Sequence, residues 1–215
     1  MYEHSAAFLG GPPNDAHLAL YSAWSKGNWG MIITGNVQVS PTHLTLGRDM
    51  VLPADVTPDS VRPFAKLVGA IHGGDRGSTR TKCSLERVRP VAIMQLSHAG
   101  RQSPLILGGR PPFSAPLGPS AVPLGQGTRA PSQGTLSRLL YSFVFQTPQM
   151  MTEHDIDFVV EGFVRGARLA HAGGFDGVEL HASHGCKLLP VAVLFSYSLQ
   201  RGRGQIYSPN LYRPK

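Results

Sequence analysis

The chain has 215 residues, the length of one ordinary domain or of part of a larger one. Hydrophobic residues make up 41% of it and charged residues 15%, which suits a packed core and not a highly charged disordered segment. No apolar run reaches the length of a membrane span, the N-terminus lacks a signal-peptide pattern, and two cysteines do not make a disulfide framework. The composition excludes collagen, coiled coils, membrane proteins and small secreted domains, and it favours a cytoplasmic location.

The net charge of +7 is concentrated in two segments. Residues 186–215 hold five basic side chains and no acidic one, and residues 75–89 hold five basic side chains against two acidic ones. Neither segment shows the periodic mixture of basic and aromatic residues that is typical of nucleic-acid surfaces. The charge therefore does not favour a nucleic-acid partner. Two alternatives to an enzyme remain, a non-catalytic fragment without a function of its own and a module that binds anions and no flavin.

The first predicted elements are a helix and the strand that follows it. Asn14 is a suitable N-cap for a helix that reaches Trp24 and is ended by Gly27. Residues 29–34 form a nearly continuous apolar run, which is typical of a parallel strand covered by helices.

A second helix and strand follow the same pattern. Thr57 predicts an N-cap, and Pro58 suits the first helical position. Pro63 must then lie in the first turn, because proline breaks a helix interior. Residues 90–96 predict the second buried strand. The expected apolar stripe of this helix consists of Val61, Phe64, Ala65, Val68 and Ile71.

The third helix has the clearest boundaries. Thr152 predicts its N-cap, with Asp155 in place of the usual capping-box glutamate, and the Gly173-Gly174 pair predicts its end. Residues 175–181 predict the third strand. The expected apolar stripe consists of Ile156, Val159, Val160, Phe163, Ala167 and Ala170.

The alternation of helices with apolar strands predicts an α/β fold with a parallel sheet. Polar residues follow each predicted strand, an arrangement that suits chemistry at the carboxyl ends of a barrel or of an open sheet. No glycine fingerprint follows any strand, which disfavours a dinucleotide-binding fold. Residues 103–148 are rich in proline and glycine and predict a long excursion over the mouth of a barrel.

Three segments resemble signatures of one family. They are GMIITGN at residues 30–36, QLSHAGRQ at residues 95–102 and GFDGVELHASHG at residues 174–185. In this order and spacing they resemble the Old Yellow Enzyme family, the NADH:flavin oxidoreductases. The resemblance covers residues 1–185 except the basic stretch 75–89, which is interpreted as an insertion. It implies a TIM (β/α)8 barrel, here incomplete, with three recognisable strands in residues 1–185 and an unmatched basic tail at residues 186–215.

The family resemblance also implies a function and a set of site residues. FMN would take hydride from NAD(P)H and reduce the activated C=C bond of a small enone-type substrate. Gly35 and Asn36 would lie beside the flavin ring, and Gln95 would bind its pyrimidine edge, where an amide can both donate and accept. His181 and His184 would contact the flavin and hold the substrate carbonyl oxygen, where two donors stabilise developing charge. The pair requires a turn that begins after His181.

Other interpretations of the same residues carry less weight. Gln95 alone would be read as an ordinary buried amide, and His98 is interpreted as structural. His181, His184 and Cys186 together could ligate a metal, but without a fourth ligand the pattern is weak, so no metal site is predicted.

The chain departs from the family pattern at Cys186. The family has at this position a tyrosine that donates a proton, and cysteine is a shorter side chain with a different acidity. The barrel loops that bind the FMN phosphate follow the seventh and eighth strands, which are not recognised here. We therefore expect that the 215-residue chain does not hold FMN through purification and is inactive by itself.

The tail itself has a specific explanation. The codons permitted for residues 186–188 can contain the splice-donor sequence GTAAGT, and the codon for Gln205 can be an acceptor ending, CAG. Removal of this segment can join the flanking codons into His-Gly-Tyr-Leu-Leu-Ser-Gln, which restores the family pattern. The hypothesis is that residues 186–205 are translated intron, and the alternative is a genuinely diverged tail. Sequencing of the transcript across codons 180–212 distinguishes the two.

Overall fold

The computed structural model describes residues 3–74, 89–111, 113–124 and 143–182. Among the described helices, none is both long and apolar enough to cross a membrane. Its helices are α1 (Asp15–Trp24), α2 (Pro58–Ile71) and α3 (Glu153–Gly173), with short 3-10 helices at Ser25–Gly27 and Gly100–Gln102. Its strands are β1 (Met31–Gln38), β2 (Met50–Val51), β3 (Val91–Ser97), β4 (Leu117–Gly118), β5 (Gln149–Met150) and β6 (Gly177–Leu180).

The main sheet has four parallel strands in the order β2-β1-β3-β6. Helix α2 lies between β1 and β3 in the chain, and α3 lies between β3 and β6, so the sheet is built from two consecutive β-α-β units. Strands β4 and β5 form a separate parallel pair. The predicted α/β fold with a parallel sheet is confirmed.

The predicted helix boundaries rest on local hydrogen bonds that the structure shows. Asn14 accepts from the backbone at the start of α1, and Thr57 caps α2 in a capping box. Thr152 and Asp155 make the same reciprocal arrangement at α3, and Gly174 ends that helix in the left-handed conformation at φ 81°. All three predicted N-caps are confirmed.

Some details of the predicted elements are wrong. The strands are shifted from the predicted bounds 29–34, 90–96 and 175–181. Strand β1 extends to Gln38, past the end of the apolar run, because its second half buries polar side chains. Pro63 lies in the second turn of α2, since Pro58 already occupies the first position. Leu67 of α2 is buried and Ala65 is exposed, because the side of the helix that faces the core is rotated relative to the predicted stripe.

The helices cover one face of the sheet and form the core there. Helix α3 approaches the sheet closely at Gly162 and Gly166, where an added Cβ would lie 3.2 Å from Val39 and 2.7 Å from Leu96. The core includes Tyr21, Ile32, Val37, Phe64, Leu67, Met94, Leu96, Phe163 and Leu169.

Candidate functional site

The sheet face opposite the helices changes character along its length. Near the amino ends of the strands it is apolar and exposed, with Met31 53% and Ile33 40% accessible. Near the carboxyl ends it is polar, with Asn36, Gln38 and Gln95 buried and Glu179 half-buried. We call the following residues the carboxyl-end cluster: Asn36, Gln38, Gln95 and Glu179.

The strand register brings the cluster together. Asn36 is the register partner of Gln95, and Gln95 is the register partner of Glu179 on the next strand. Register partners in adjacent parallel strands point to the same face. Gln95 Nε2 donates to Glu179 Oε1 at 3.3 Å, so one of the two amide N–H groups is used within the protein. The second N–H and the amide oxygen of Gln95 remain for other partners.

Several oxygens of the cluster are buried without a partner. Asn36 Oδ1, Gln38 Oε1 and Glu179 Oε2 accept no hydrogen bond from the residues that the structure describes. A buried acceptor left unpaired costs about 1–3 kcal/mol, so these oxygens favour a ligand that brings N–H donors. The pyrimidine edge of an isoalloxazine carries one N–H between two carbonyl oxygens. Its N–H can satisfy one of these oxygens, and one of its carbonyl oxygens can accept from the free N–H of Gln95.

Gly35 lies in an irregular segment of β1 just before Asn36. The register with β3 shifts between Ile33 and Asn36, and the Gln95 backbone N–H donates to Thr34 Oγ1 at 3.0 Å. The Gly35 amide donates to Tyr21 Oη at 2.7 Å, toward α1. In the structure Gly35 shapes the strand, while the Asn36 side chain belongs to the cluster.

His181 follows directly after β6, at the same end of the sheet. Its backbone N–H donates to the Leu96 carbonyl at 2.9 Å, which continues the ladder by one residue, and the residue is half-buried. Strand β6 ends at Leu180, and the turn predicted after His181 falls outside the described residues, the last of which is residue 182. His184 and Cys186 lie outside the described residues.

Part of the predicted excursion packs over the loops that follow β1 and β3. The Leu117 backbone N–H donates to His43 Nε2 at 3.0 Å, and Arg101 Nη1 donates to the Val122 carbonyl at 2.9 Å. Arg110 donates to the carbonyls of Thr42 and Ser103 and so ties the loops together. The described parts of residues 103–148 thus cover the carboxyl ends of β1 and β3, whereas residues 112 and 125–142 lie outside the description.

Two histidines are buried beneath this cover. The rings of His43 and His98 stack with their centroids 4.4 Å apart. Burial, with a further contribution from the charge of Arg110, lowers the pKa of His98 to about 4. Burial also lowers the pKa of His43 to about 2, with smaller contributions from His98 and Arg110. With these lowered pKa values both rings are neutral at pH 7, and His43 also accepts the Leu117 N–H described above.

Sequence reasoning missed two members of the cluster. Gln38 lies beyond the predicted end of the first strand, although the alternation of Asn36, Val37 and Gln38 indicates a strand with one polar face. Glu179 lies in the family-like segment 174–185, but the resemblance implies no role for it. An acidic residue inside a predicted buried strand is the signal that would have identified it.

Comparisons with known proteins agree with this architecture. The sequence profile of the NADH:flavin oxidoreductase / NADH oxidase family matches residues 4–190. The NADH-dependent flavin oxidoreductase iccE of Talaromyces variabilis is 40% identical over 166 residues, which cover 77% of this chain and 36% of that protein. The NADH-dependent flavin oxidoreductase iliE of Neonectria sp. is 36% identical over 177 residues, which cover 80% of this chain and 20% of that protein. The chain thus spans little more than a third, or less, of the length of these relatives.

Two solved structures resemble the fold. An Old Yellow Enzyme homologue from Zymomonas mobilis superposes with a TM-score of 0.60 at 20% identity and covers 86% of this chain and 43% of its own. A mutant of morphinone reductase, in complex with tetrahydroNAD, superposes with a TM-score of 0.57 at 21% identity and covers 85% of this chain and 44% of its own. The four parallel strands and their helices are therefore part of the barrel that was predicted, and the chain belongs to the NADH:flavin oxidoreductase / NADH oxidase family.

Proposed function

We propose that the carboxyl-end cluster and His181 form the ring-binding part of an FMN site in an NAD(P)H-dependent oxidoreductase of the ene-reductase type. The observation that carries the proposal is the row of buried, unpaired oxygens beside Gln95 at the carboxyl ends of adjacent parallel strands. Chemistry in barrel folds is located at this end of the strands. The family that the chain belongs to uses flavin, which agrees with the donor and acceptor pattern of the cluster.

Each residue has a defined part in this proposal. Gln95 holds the pyrimidine edge through its amide oxygen and its remaining N–H, while Asn36 lies beside the ring and Gly35 shapes the strand next to it. When bound, FMN supplies the hydride transfer between the nicotinamide and the substrate carbon. His181 and His184 donate hydrogen bonds to the carbonyl oxygen of an α,β-unsaturated carbonyl compound, which is the proposed substrate class.

The same proposal divides the chain into two parts. Residues 1–185 contain the barrel portion, and residues 186–215 form the basic tail. Arg89, from the basic stretch 75–89, pairs with Asp176 at 2.7 Å at the amino end of β6, which is the end of the sheet opposite the proposed site. This one charge of the stretch is paired within the fold.

Equilibrium titration of FMN, followed by quenching of its fluorescence, tests the proposal with a matched pair of variants. Gln95→Leu removes the proposed ring contact, and Gln149→Leu makes the same change at an exposed position on β5. A lost hydrogen bond and a partner left unpaired amount to about 1–3 kcal/mol, so Gln95→Leu should weaken binding by about tenfold or more. Gln149→Leu should leave binding unchanged. Equal affinities in all three proteins, or an absence of FMN binding at millimolar concentrations, would contradict the proposal.

A further inference from the structure

The irregularity in β1 decides which side chains reach the candidate site. Before it, Ile33 pairs with Ile93, and after it, Asn36 pairs with Gln95, so β1 uses one residue more than β3. A regular strand would place Gly35 opposite Gln95 and would turn Asn36 toward the helices. The bulge is therefore what brings Asn36 and Gln38 to the site face beside Gln95.

A half-buried acid, Glu3, and a fully buried phenol, Tyr21, lie directly behind the bulge. Tyr21 of α1 is fully buried, and its hydroxyl donates to Glu3 Oε1 at 2.6 Å. The Gly35 N–H donates to Tyr21 Oη at 2.7 Å and lies 3.2 Å from Glu3 Oε1. The bulged peptide therefore has two acceptors that a regular strand would not meet in this way.

Glu3 also occupies the space next to Gly35. A Cβ added to Gly35 would lie 2.5 Å from Glu3 Cγ, so only glycine fits at this position while Glu3 keeps its place. Burial raises the pKa of the Glu3 carboxyl, and the hydrogen bonds from Tyr21 and Gly35 oppose that effect. The contacts of the Glu3 carboxyl group with Gly35 and Tyr21 therefore all lie at the bulge.

We infer that Glu3 and Tyr21 are positioning residues that hold the β1 bulge and so direct the Asn36 side chain to the site face beside Gln95. Neither side chain belongs to the ring-binding surface, because both lie on the helix side of β1. The significance of the pair for flavin binding rests on the function proposed above. The placement of the side chains can be measured without any flavin.

The test is nuclear magnetic resonance of the full 15N-labelled chain without ligand. Tyr21→Phe keeps the ring and removes the hydroxyl, and Glu3→Ala removes the acceptor, whereas Glu3→Gln keeps an acceptor oxygen. In Tyr21→Phe and Glu3→Ala we expect the side-chain amide signals of Asn36 and Gln95 to move, and the Gly35 amide to exchange about tenfold faster. Glu3→Gln should preserve the wild-type signals.

A control variant separates positioning from general loss of stability. Phe163→Leu removes volume from the same core on α3, away from the bulge, and should leave the Asn36 and Gln95 side-chain signals in place. The inference is overturned if those signals are unchanged in both Tyr21→Phe and Glu3→Ala, or if Phe163→Leu moves them equally. Because no flavin is present, a failed FMN titration would refute the proposed function and leave this result standing.

Discussion

Replacement of Gly166 by alanine measures how closely α3 packs against the sheet. A Cβ at this position would lie 2.7 Å and 2.9 Å from the two terminal methyl carbons of Leu96 and 3.0 Å from a methyl carbon of Leu52. Leu96 is fully buried in β3, so its methyl groups have no free space to enter. Gly69 in α2 provides the matched control, because a Cβ there meets nothing within 4 Å.

Both substitutions gain the higher helix propensity of alanine, but only Gly166→Ala forces extra volume into the core. Alanine in place of a helix-interior glycine stabilises by about 1 kcal/mol. Extra volume forced into a packed core costs about 1–3 kcal/mol. We expect Gly69→Ala to raise the free energy of unfolding by about 1 kcal/mol, and Gly166→Ala to lower it by about 1 kcal/mol. The difference between the variants is then about 2 kcal/mol.

Urea unfolding followed by far-ultraviolet circular dichroism gives both values on the full chain. The dependence of the free energy of unfolding on urea concentration should be the same in both variants, so that a change in the midpoint reports a change in stability alone. If Gly166→Ala stabilises as much as Gly69→Ala, α3 does not approach Leu96 as closely as described. The helix layer would then not support the site strands through this contact.

Three further predictions concern single contacts. Asp176→Asn should lower the free energy of unfolding by about 1–2 kcal/mol in urea, because the Asp176 carboxylate accepts hydrogen bonds from the Ala92 N–H, His72 and Arg89. The control Asp157→Asn, at an exposed position, should leave it unchanged. Because the pKa of His98 is depressed in the folded chain, its neutral form contributes stability, and this contribution should fall by about 3 kcal/mol from pH 6.5 to pH 4, in addition to the loss from His43, whose pKa is also depressed. The loss of stability should therefore be less steep in His98→Phe, and an equally steep loss would contradict this. Gly35→Ala should destabilise by about 1–3 kcal/mol through contact with Glu3, and a neutral result by thermal unfolding would refute that packing.

Local signals in the sequence were sufficient for the helices and for the general architecture. Asn14, Thr57 and Thr152 are capping residues whose hydrogen bonds involve only the next few residues, so their roles are visible without the tertiary structure. The apolar runs likewise predicted parallel strands, because a strand that is covered by helices on its faces needs apolar side chains along its whole length. The family signatures added the barrel, which the structural comparison confirms.

The features that were missed depend on contacts between distant parts of the chain. The β1 bulge needs Glu3 and Tyr21, which are 32 and 14 residues before Gly35. The contact between Gln95 and Glu179 joins residues 84 positions apart and follows from strand register, which apolar periodicity does not determine. Sequence reasoning therefore named Gln95 as a site residue but gave Glu179 no role beside it.

The central claim is that the carboxyl-end cluster receives the ring of FMN. The most direct test is the spectrum of the 15N-labelled chain with FMN in large excess, compared with the spectrum in inorganic phosphate alone. We predict that FMN shifts the side-chain amide signals of Asn36 and Gln95 and the backbone signal of His181, and that phosphate does not. Shifts confined to residues 75–89 and 186–215, and reproduced by phosphate, would contradict the claim and indicate an anion-binding module instead.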